Sequence, residues 1–244
     1  MTPGVVLRSA LFALFQLAAT PPCALVALAT FPLKPFARYR IISLWARMMV
    51  AASAAICGIR YRVIGAENIP HGSSCIILSK HQSAWETLVF QVIFPPQVWV
   101  VKRELLWIPF FGWGLAMLEP IAIDRGSGAR ALRQMLEQGR DRLARGFCIV
   151  IFPEGTRVAP GARRDYQPGG AWLAAKTGAP VVPVALNSGE LWPRNAFLKY
   201  PGTITVSIGA AIDTRELAPE DINRRVEDWI ESEAKRISGG ARAA

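Results

Sequence analysis

The chain has 244 residues, of which 52% are hydrophobic and only 19% are charged. Charged residues make up about a quarter of an ordinary soluble domain, so this chain is unusually apolar. Its 20 glycines, 18 prolines and 4 cysteines exclude a collagen-like repeat, a disordered chain and a disulfide scaffold. This length corresponds to one domain, with or without a short appendage, and allows a core without disulfides or metals.

The net charge narrows the class of partner. Lysine and arginine number 28 and aspartate and glutamate 18, which gives a net charge of +10. An apolar and cationic chain suits an anionic phospholipid surface. Nucleic acid would accept the same charge, but the proteins that bind it seldom carry this much apolar surface. The composition therefore predicts an anionic phospholipid membrane as partner and no nucleic acid.

The cysteines predict neither a metal site nor a disulfide. Cys23, Cys57, Cys75 and Cys148 lie far apart and show no C-x-x-C or Cys/His spacing of the kind that binds zinc. We interpret them as small, reduced apolar side chains of a protein in a cytosolic compartment.

The N-terminal segment Ser9–Leu33 contains no charged residue and lies between Arg8 and Lys34. About 20 apolar residues span a bilayer, so the length is sufficient. Pro21 and Pro22 in its middle are expected to break or kink a helix. Three interpretations stay open: a signal peptide, one kinked transmembrane helix, or two short helices that enter one leaflet and return. The basic residues at both ends favour the last.

The next stretch, Phe36 to Gly58, mixes arginines with apolar residues. This pattern is typical of an amphipathic helix at a membrane interface, with Tyr39 and Trp45 at the level of the headgroups. The alternative is that the helix simply packs on the domain behind it. We therefore predict two domains, with residues 1–58 as membrane-anchoring helices and residues 59–244 as an α/β domain.

Beyond Gly58, short β-rich runs alternate with helical patterns. Strands are predicted at Tyr61–Ile64, Cys75–Leu78, Val98–Val101, Ile121–Ile123, Phe147–Phe152, Val181–Leu186 and Thr203–Ile208. Helices are predicted from about Ser83 and at Leu105–Leu118, Ala129–Leu143, Gly169–Lys176 and Pro219–Ile237. Such alternation predicts an α/β fold with a mixed, largely parallel sheet flanked by helices.

Polar residues follow four of the predicted strands, at the carboxyl ends where such sheets bind ligands. They are Ser79–Glu86, Lys102–Glu104, Asp124 with Arg125, and Pro153–Arg157. Together they bring a histidine, several cations and at least three carboxylates to one edge of the sheet. A solvated surface could give the same pattern, but the clustering favours a catalytic or anion-binding site.

His81 is the candidate general base, since the unperturbed pKa of histidine lies near 6.5. The other histidine, His71, lies between a proline and a glycine, as is typical of a turn. Residues five apart diverge by about 140° on a helix, so Glu86 can meet His81 only if His81 precedes the first turn. Ser83 to Glu86 also has the pattern of a capping box, which gives Glu86 a purely structural alternative. The two roles are compatible.

A guanidinium offers paired donors to a phosphate, which makes Arg157 with Lys102 and Arg103 the predicted anion site. Gly155 would allow a close approach of the backbone to a ligand. Glu154 is expected to hold Arg157 through an ion pair. The alternative is a surface salt bridge that contributes little.

Several sequence motifs are missing, which removes other classes of enzyme. The chain has no G-x-S-x-G nucleophile motif, no phosphate-loop motif and no complete dinucleotide fingerprint. It also lacks H-E-x-x-H and any histidine cluster, so we predict no metal.

These segments resemble the glycerolipid acyltransferase family, in particular the bacterial 1-acyl-sn-glycerol-3-phosphate acyltransferases. The family's four blocks appear in order over roughly residues 60–190. His81–Glu86 matches H-x-x-x-x-D, Lys102–Gly112 resembles the second block, Phe152–Arg157 is an intact F-P-E-G-T-R, and Val182–Val184 is the V-P-V block. One departure is that Glu86 stands where the family usually has aspartate.

The resemblance implies transfer of a fatty acyl group from acyl-CoA or acyl-acyl carrier protein to the sn-2 hydroxyl of lysophosphatidic acid. The product would be phosphatidic acid, made for phospholipid biosynthesis at the cytoplasmic face of the inner membrane, without a cofactor. Two alternatives stay open: another lysophospholipid or lyso-aminolipid acceptor, or a catalytically silent lipid-binding protein on the membrane.

The resemblance also implies the residue roles. His81 would deprotonate the hydroxyl, Glu86 would support the imidazole, and Arg157 would grip the acceptor's phosphate. Direct attack on the thioester needs no acyl-enzyme, in agreement with the missing nucleophile motif. The remaining residues of the substrate pocket would be Lys102, Arg103, Glu154, Gly155 and Thr156.

Overall fold

The structure is a computed structural model that describes residues 3–70, 72–124, 126 and 128–241. His71, for which the sequence predicts a turn, and Arg125, placed at a strand exit, lie outside the described residues.

Within the described residues, seven strands form one sheet in the order β1-β7-β6-β2-β5-β3-β4. Neighbouring strands are parallel except for β6 and β7, which are antiparallel. The mixed, largely parallel sheet is thus confirmed. The central strands β2, β5 and β6 are buried along their whole length, which explains why their sequences are nearly continuous runs of apolar residues. The strands are β1 (Ile59–Ile64), β2 (Ile76–Ser79), β3 (Gln97–Lys102), β4 (Ile121–Ile123), β5 (Cys148–Ile151), β6 (Val181–Leu186) and β7 (Gly202–Ile208).

Helices cover both faces of the sheet. Parallel crossovers follow a right-handed rule, which with this strand order puts the helix from β2 to β3 on one face of the sheet and those before β5 and β6 on the other. The last helix packs against the helix before β6 and against β6 itself, so it shares their face. These helices are α3 (Trp85–Ile93), α4 (Phe111–Met117), α5 (Ala129–Ala144), α6 (Gly169–Thr177) and α7 (Pro219–Ile237).

The single helix predicted over Leu105–Leu118 is wrong. A short 3-10 helix, Arg103–Trp107, precedes α4, and Pro109 lies between the two. Proline disfavours helical backbone at the residue before it, and Ile108 is extended here, with φ of −67° and ψ of 119°, so the helix is interrupted at this point. The close approach of the two pieces requires Gly112, where a Cβ would lie 2.4 Å from the Leu106 carbonyl oxygen.

The apolar N-terminal segment forms one long helix, α1 (Pro3–Ala29), which continues through Pro21 and Pro22. The expected pair of short helices is therefore wrong. Each proline removes one backbone hydrogen bond, but α1 packs along the next helix, α2 (Pro35–Cys57), and along α4. Those contacts, with the alanine- and leucine-rich flanks of the prolines, support a continuous helix.

The start of α1 is part of the core of the protein. Phe12 is fully buried and packs edge-on against Trp192, with ring centroids 5.3 Å apart. The Ser9 hydroxyl accepts the Lys199 backbone N–H at 3.0 Å. Removal of α1 would expose Trp192 and leave that N–H unpaired, which argues against the signal-peptide interpretation.

One face of α2 packs on the domain, as the alternative interpretation predicted, with Tyr39, Met49 and Cys57 buried. Its other face and most of α1 leave large apolar side chains exposed. By length and composition alone, both helices could cross a membrane. The exposed apolar side chains of α1, α2 and their connection are Val6, Leu7, Leu11, Leu14, Leu17, Leu25, Val26, Leu28, Phe31, Leu33, Phe36 and Leu44.

Candidate active site

His81 lies in the loop between β2 and α3, before the first turn of the helix. Its Nδ1 is 3.1 Å from the Glu86 Oε2, so the two side chains meet in the way that their spacing requires. The ring stacks on Phe152, with centroids 3.8 Å apart and planes 13° from parallel. Nδ1 is therefore engaged by a carboxylate, and Nε2 is the ring nitrogen left to act on a substrate.

Glu86 is fully buried, and its two carboxylate oxygens have different partners. Its Oε1 accepts the backbone N–H groups of Gln82 at 3.0 Å and Ser83 at 2.7 Å, and also the Ser188 hydroxyl. Its Oε2 contacts the imidazole. Ser83 in turn accepts the Trp85 N–H at 3.0 Å. One oxygen thus holds the loop ahead of α3 while the other contacts the ring. Of the expected capping box, the bond from the Ser83 N–H to Glu86 is present, but the N-cap residue of α3 is Ala84, which has no side-chain cap.

The backbone of His81 is held by the loop that carries the F-P-E-G-T-R sequence. The His81 N–H donates to the Glu154 Oε2 at 2.7 Å. The His81 carbonyl oxygen accepts the Val158 N–H at 2.7 Å. The two loops that carry the candidate catalytic and anion-binding residues are therefore joined on both sides of His81.

The expected ion pair between Glu154 and Arg157 is wrong. Glu154 is fully buried, and its Oε1 lies 2.8 Å from the Lys80 Nζ. Gly155 has a φ of +69°, so the chain turns between the buried Glu154 and the half-buried Arg157. Burial raises the pKa of the Glu154 carboxyl, and the Lys80 ammonium opposes that increase.

A cavity of about 1320 Å³ extends from His81 to the N-terminal helices. Its polar part includes Lys102, Glu154, Gly155, Thr156 and Arg157. Its apolar part is lined by α1, α2, α4 and α5, through side chains that include Ala24, Ala27, Ile41, Ile42, Trp45, Leu115, Leu118, Ala131, Leu132 and Met135. The cavity therefore joins a cationic wall to a long apolar one, with an imidazole on its surface.

Arg103 is the predicted substrate-binding residue that does not line this cavity, and the predicted Glu86 lies behind His81 without lining it. Lys102 is the last residue of β3 and lines the cavity, whereas Arg103 begins the 3-10 helix. Of the three cations predicted to bind an anion, Lys102 and Arg157 therefore share the cavity and Arg103 does not. Asp124, at another strand exit, is exposed, and its Oδ1 accepts the Gly126 N–H at 3.0 Å.

Comparison with known proteins decides the family. The model of the acyltransferase family matches residues 60–187. The chain belongs to the acyltransferase family. It is 46% identical over 212 residues to the 1-acyl-sn-glycerol-3-phosphate acyltransferase of Pseudomonas aeruginosa, over 85% of this chain and 82% of the relative. It is 30% identical over 203 residues to the protein of the same name from Borreliella burgdorferi, over 81% of each chain.

The acyltransferase also shares its fold with a solved structure. The crystal structure of the 1-acyl-sn-glycerophosphate acyltransferase from Thermotoga maritima matches it with a TM-score of 0.82 at 21% identity, over 96% of both chains. The fold class and the resemblance to glycerolipid acyltransferases are thus confirmed.

Sequence reasoning missed four residues at this acyltransferase's site. Ser188 follows β6, more than a hundred positions from the Glu86 that it contacts, so no local pattern reveals it. Arg164 and Arg194 line the cavity from loops. Lys80 could have been noticed, because a lysine directly after a buried strand and before the histidine is an unusual place for a charge.

Among the described residues of the acyltransferase, no group of three or more metal-binding side chains lies together. Cys57, Cys75 and Cys148 are buried, and Cys23 lines the cavity. The sulfur atoms of Cys75, which directly precedes β2, and Cys148, the first residue of β5, lie 3.1 Å apart as free thiols.

Proposed function

We propose that this acyltransferase moves a fatty acyl group from acyl-CoA or acyl-acyl carrier protein to the sn-2 hydroxyl of lysophosphatidic acid, giving phosphatidic acid for phospholipid biosynthesis. The observation that carries the proposal is the position of His81, where the cationic and the apolar walls of one cavity meet. The names of the relatives from Pseudomonas and Borreliella support the choice of acceptor.

The reaction is a direct acyl transfer. The Nε2 of His81 takes the proton of the acceptor hydroxyl as its oxygen attacks the thioester carbonyl. Glu86 stabilises the imidazolium that forms, because its Oε2 lies 3.1 Å from Nδ1. When the tetrahedral intermediate collapses, the thiolate leaves and takes a proton from the imidazolium. His81 is then neutral again, and no acyl-enzyme is formed.

The acceptor's phosphate binds to Arg157 and Lys102. Both line the same cavity as His81, and a phosphate held there places the glycerol hydroxyl near the imidazole. Gly155 and Thr156 complete this wall of the pocket. The acyl chain of the donor lies along the apolar wall, because a fatty chain gains about 0.8 kcal/mol for each buried methylene.

Either anionic donor is compatible with the charge of the protein. The net charge of +10 attracts the phosphates of CoA and the acidic surface of an acyl carrier protein alike. Arg164 and Arg194 add positive charge at the cavity. No organic cofactor or metal takes part in the proposed steps.

Residues 1–58 act as a membrane anchor at the cytoplasmic face of the inner membrane, and residues 59–244 act as the catalytic domain. The exposed apolar side chains of α1 and α2 support this division. Trp107 and Trp113, 70% and 41% exposed, extend the same apolar surface, because Trp113 lies on α4, which packs on α1, and Trp107 ends the 3-10 helix that packs on α4. The cavity is lined in part by α1, so an acceptor can enter from the lipid side.

An acceptor panel tests the proposal. Purified protein in detergent micelles is given labelled acyl-CoA or acyl-acyl carrier protein with lysophosphatidic acid, a zwitterionic lysophospholipid or a lyso-aminolipid without phosphate. We expect lysophosphatidic acid to react at least about tenfold faster, because the zwitterionic lipid offers the cationic wall only a singly charged phosphodiester and the lyso-aminolipid offers it no phosphate. Equal rates across the panel would remove the assignment of the acceptor, and His81→Ala gives the background rate.

A further inference from the structure

A second group of charged side chains lies behind His81, away from the cavity's apolar wall. Lys80 is 2% exposed, and its Nζ lies 2.8 Å from the Glu154 Oε1 and 2.7 Å from the Glu231 Oε1. Tyr166 donates its hydroxyl to the same Glu231 oxygen at 2.9 Å. We call Lys80, Glu154, Glu231 and Tyr166 the Lys80 cluster.

The cluster connects both faces of the sheet to the histidine loop. His81 reaches Glu86 on α3, whereas the preceding residue, Lys80, reaches Glu231 on α7, which lies on the opposite face. The carboxylate of Glu154 has one oxygen for each neighbour: Oε1 contacts Lys80, and Oε2 accepts the His81 N–H. The backbone of His81, the loop of Arg157 and the helix α7 are therefore joined through two charged side chains.

Stability alone does not account for these buried charges. Removing a lysine and a carboxylate from water carries a desolvation penalty for each ion, and apolar side chains of similar size often stabilise a fold as well. The inner face of α7 already packs through an apolar stripe that includes Ile222, Val226 and Ile230. Glu231, next to that stripe, adds a contact with a fixed direction. Direction matters at a site where a displacement of about 1 Å can cost about 100-fold in rate.

We propose that Lys80, Glu154 and Glu231 are positioning residues that hold His81 and the Arg157 loop at a fixed separation across the cavity. This inference rests on the proposed function and adds α7 to the support of the active site. Glu154 acts through the backbone N–H of His81 and belongs to this support, whereas the family resemblance assigned it to the substrate pocket.

The test compares kcat and KM of four variants in the lysophosphatidic acid assay. Lys80→Met is expected to lower kcat about 100-fold and to change both KM values less than about threefold. Glu231→Gln is expected to lower kcat about fivefold, since its amide oxygen still accepts from Lys80. Glu154→Gln is expected to lower kcat about tenfold. The matched control is Glu227→Gln, on the same helix, where the carboxylate pairs with the exposed Arg163 and kcat stays unchanged.

The pH dependence of kcat distinguishes a role of the Lys80 cluster in positioning His81 from a role in packing alone. Glu154 faces Lys80, the His81 N–H, Glu231 and, beyond it, Tyr166. Burial raises the pKa of Glu154, and Lys80 lowers it. In Lys80→Met the carboxyl therefore stays protonated to higher pH than in wild type and then ionises without a partner, so kcat relative to wild type falls as pH rises through that higher pKa. The double variant Lys80→Met/Glu154→Gln has no such carboxyl and loses this extra pH dependence.

Folded Glu154→Gln and Glu231→Gln with kcat within twofold of wild type would overturn the inference, as would losses confined to KM. If Lys80→Met does not fold, these two variants decide alone. Wild-type protein that makes no phosphatidic acid refutes the proposed acceptor and not the cluster, and the series is then measured with the acceptor that the panel identifies.

Discussion

The two ends of the cavity hold their side chains in different ways. At the polar end, His81 is fixed through its ring nitrogen, its N–H, its carbonyl oxygen and its stacking on Phe152. At the apolar end, the side chains of α1, α4 and α5 line the cavity through non-directional contacts. Bond making needs a fixed angle and distance, whereas a fatty chain needs only an apolar surface. Substitutions at the polar end are therefore expected to change the rate of the reaction, and substitutions on the apolar surface are expected to change membrane binding.

The largest effect is expected from His81→Ala, which removes the proposed base at the polar end. General-base catalysis contributes up to about 10⁴-fold, and we expect kcat to fall at least about 10³-fold. Sedimentation with anionic vesicles should be unchanged, because the apolar surface is intact. Activity that survives in folded H81A protein would refute the mechanism.

The next effect concerns the length of the Glu86 side chain. The carboxylate spans from the N–H groups of Gln82 and Ser83 to the imidazole. Glu86→Asp is one methylene shorter and cannot keep both contacts on this backbone, so we expect kcat to fall about 100-fold although aspartate is usual in the family. Glu137→Asp, on the exposed side of α5, is the control. A rate within twofold of wild type would show that the loop adapts.

Arg157→Ala tests the cationic wall at the same end. Loss of a charged hydrogen bond costs about 1.5 to 3 kcal/mol, so the KM for lysophosphatidic acid should rise about 30-fold. The KM for the acyl donor should change less than about threefold. Arg163→Ala removes an exposed arginine that pairs with Glu227 and should leave both constants unchanged. An unchanged acceptor KM in R157A would contradict the assigned phosphate site.

Leu17→Ser tests the apolar end. Leu17 is 73% exposed on α1, and its burial in lipid contributes at least about 1.4 kcal/mol, so vesicle binding should weaken about tenfold. The kcat in detergent should stay the same. The control, Ile64→Ser, changes a 41% exposed residue at the end of β1 and should leave vesicle binding unaltered. Equal losses in both variants would mean that α1 does not contact the membrane.

The smallest effect concerns an ion-pair cluster that joins two elements of the apolar end, α2 and α5. Glu119 pairs with Arg38 on α2 and with Arg142 and Arg145 at the end of α5. Burial raises the pKa of this carboxyl, but the arginines outweigh it, and the net pKa is lowered. Its stabilisation is therefore present above the unfolded pKa, about 4.3, and is lost as pH falls through the lower folded value.

We thus expect Glu119→Gln to lower the Tm by about 2 to 4 °C at pH 7 and by less as pH falls below 4, since one partly exposed cluster contributes about 1 kcal/mol. Thermal unfolding from pH 3 to pH 8 measures this, with Glu137→Gln as the control. A Tm difference that does not change with pH would exclude the charge as its cause.

Much of the framework could be predicted from local patterns. The ends of β4, β6 and α7 agree with the prediction, because buried strands read as short apolar runs and α7 has a regular amphipathic period. The spacing of His81 and Glu86 already required the histidine to precede the helix. Pro21 and Pro22 led to the wrong prediction that the helix breaks there, because the rule for an isolated helix does not include the packing of α1 on α2 and α4.

The sequence by itself determined the succession of the seven strands along the chain and the position of the segments His81–Glu86 and Phe152–Arg157 at the candidate site, since these follow from local periodicity and short motifs. The tertiary structure alone decided which charge each site residue meets. Glu154 pairs with Lys80 and not, as the sequence had suggested, with Arg157, and Ser188 donates its hydroxyl to Glu86. Arg103 does not line the cavity. A buried charge is costly unless it is paired, so a charged side chain pairs with an opposite charge that lies near it in the folded protein. That partner can belong to an element far away in the sequence.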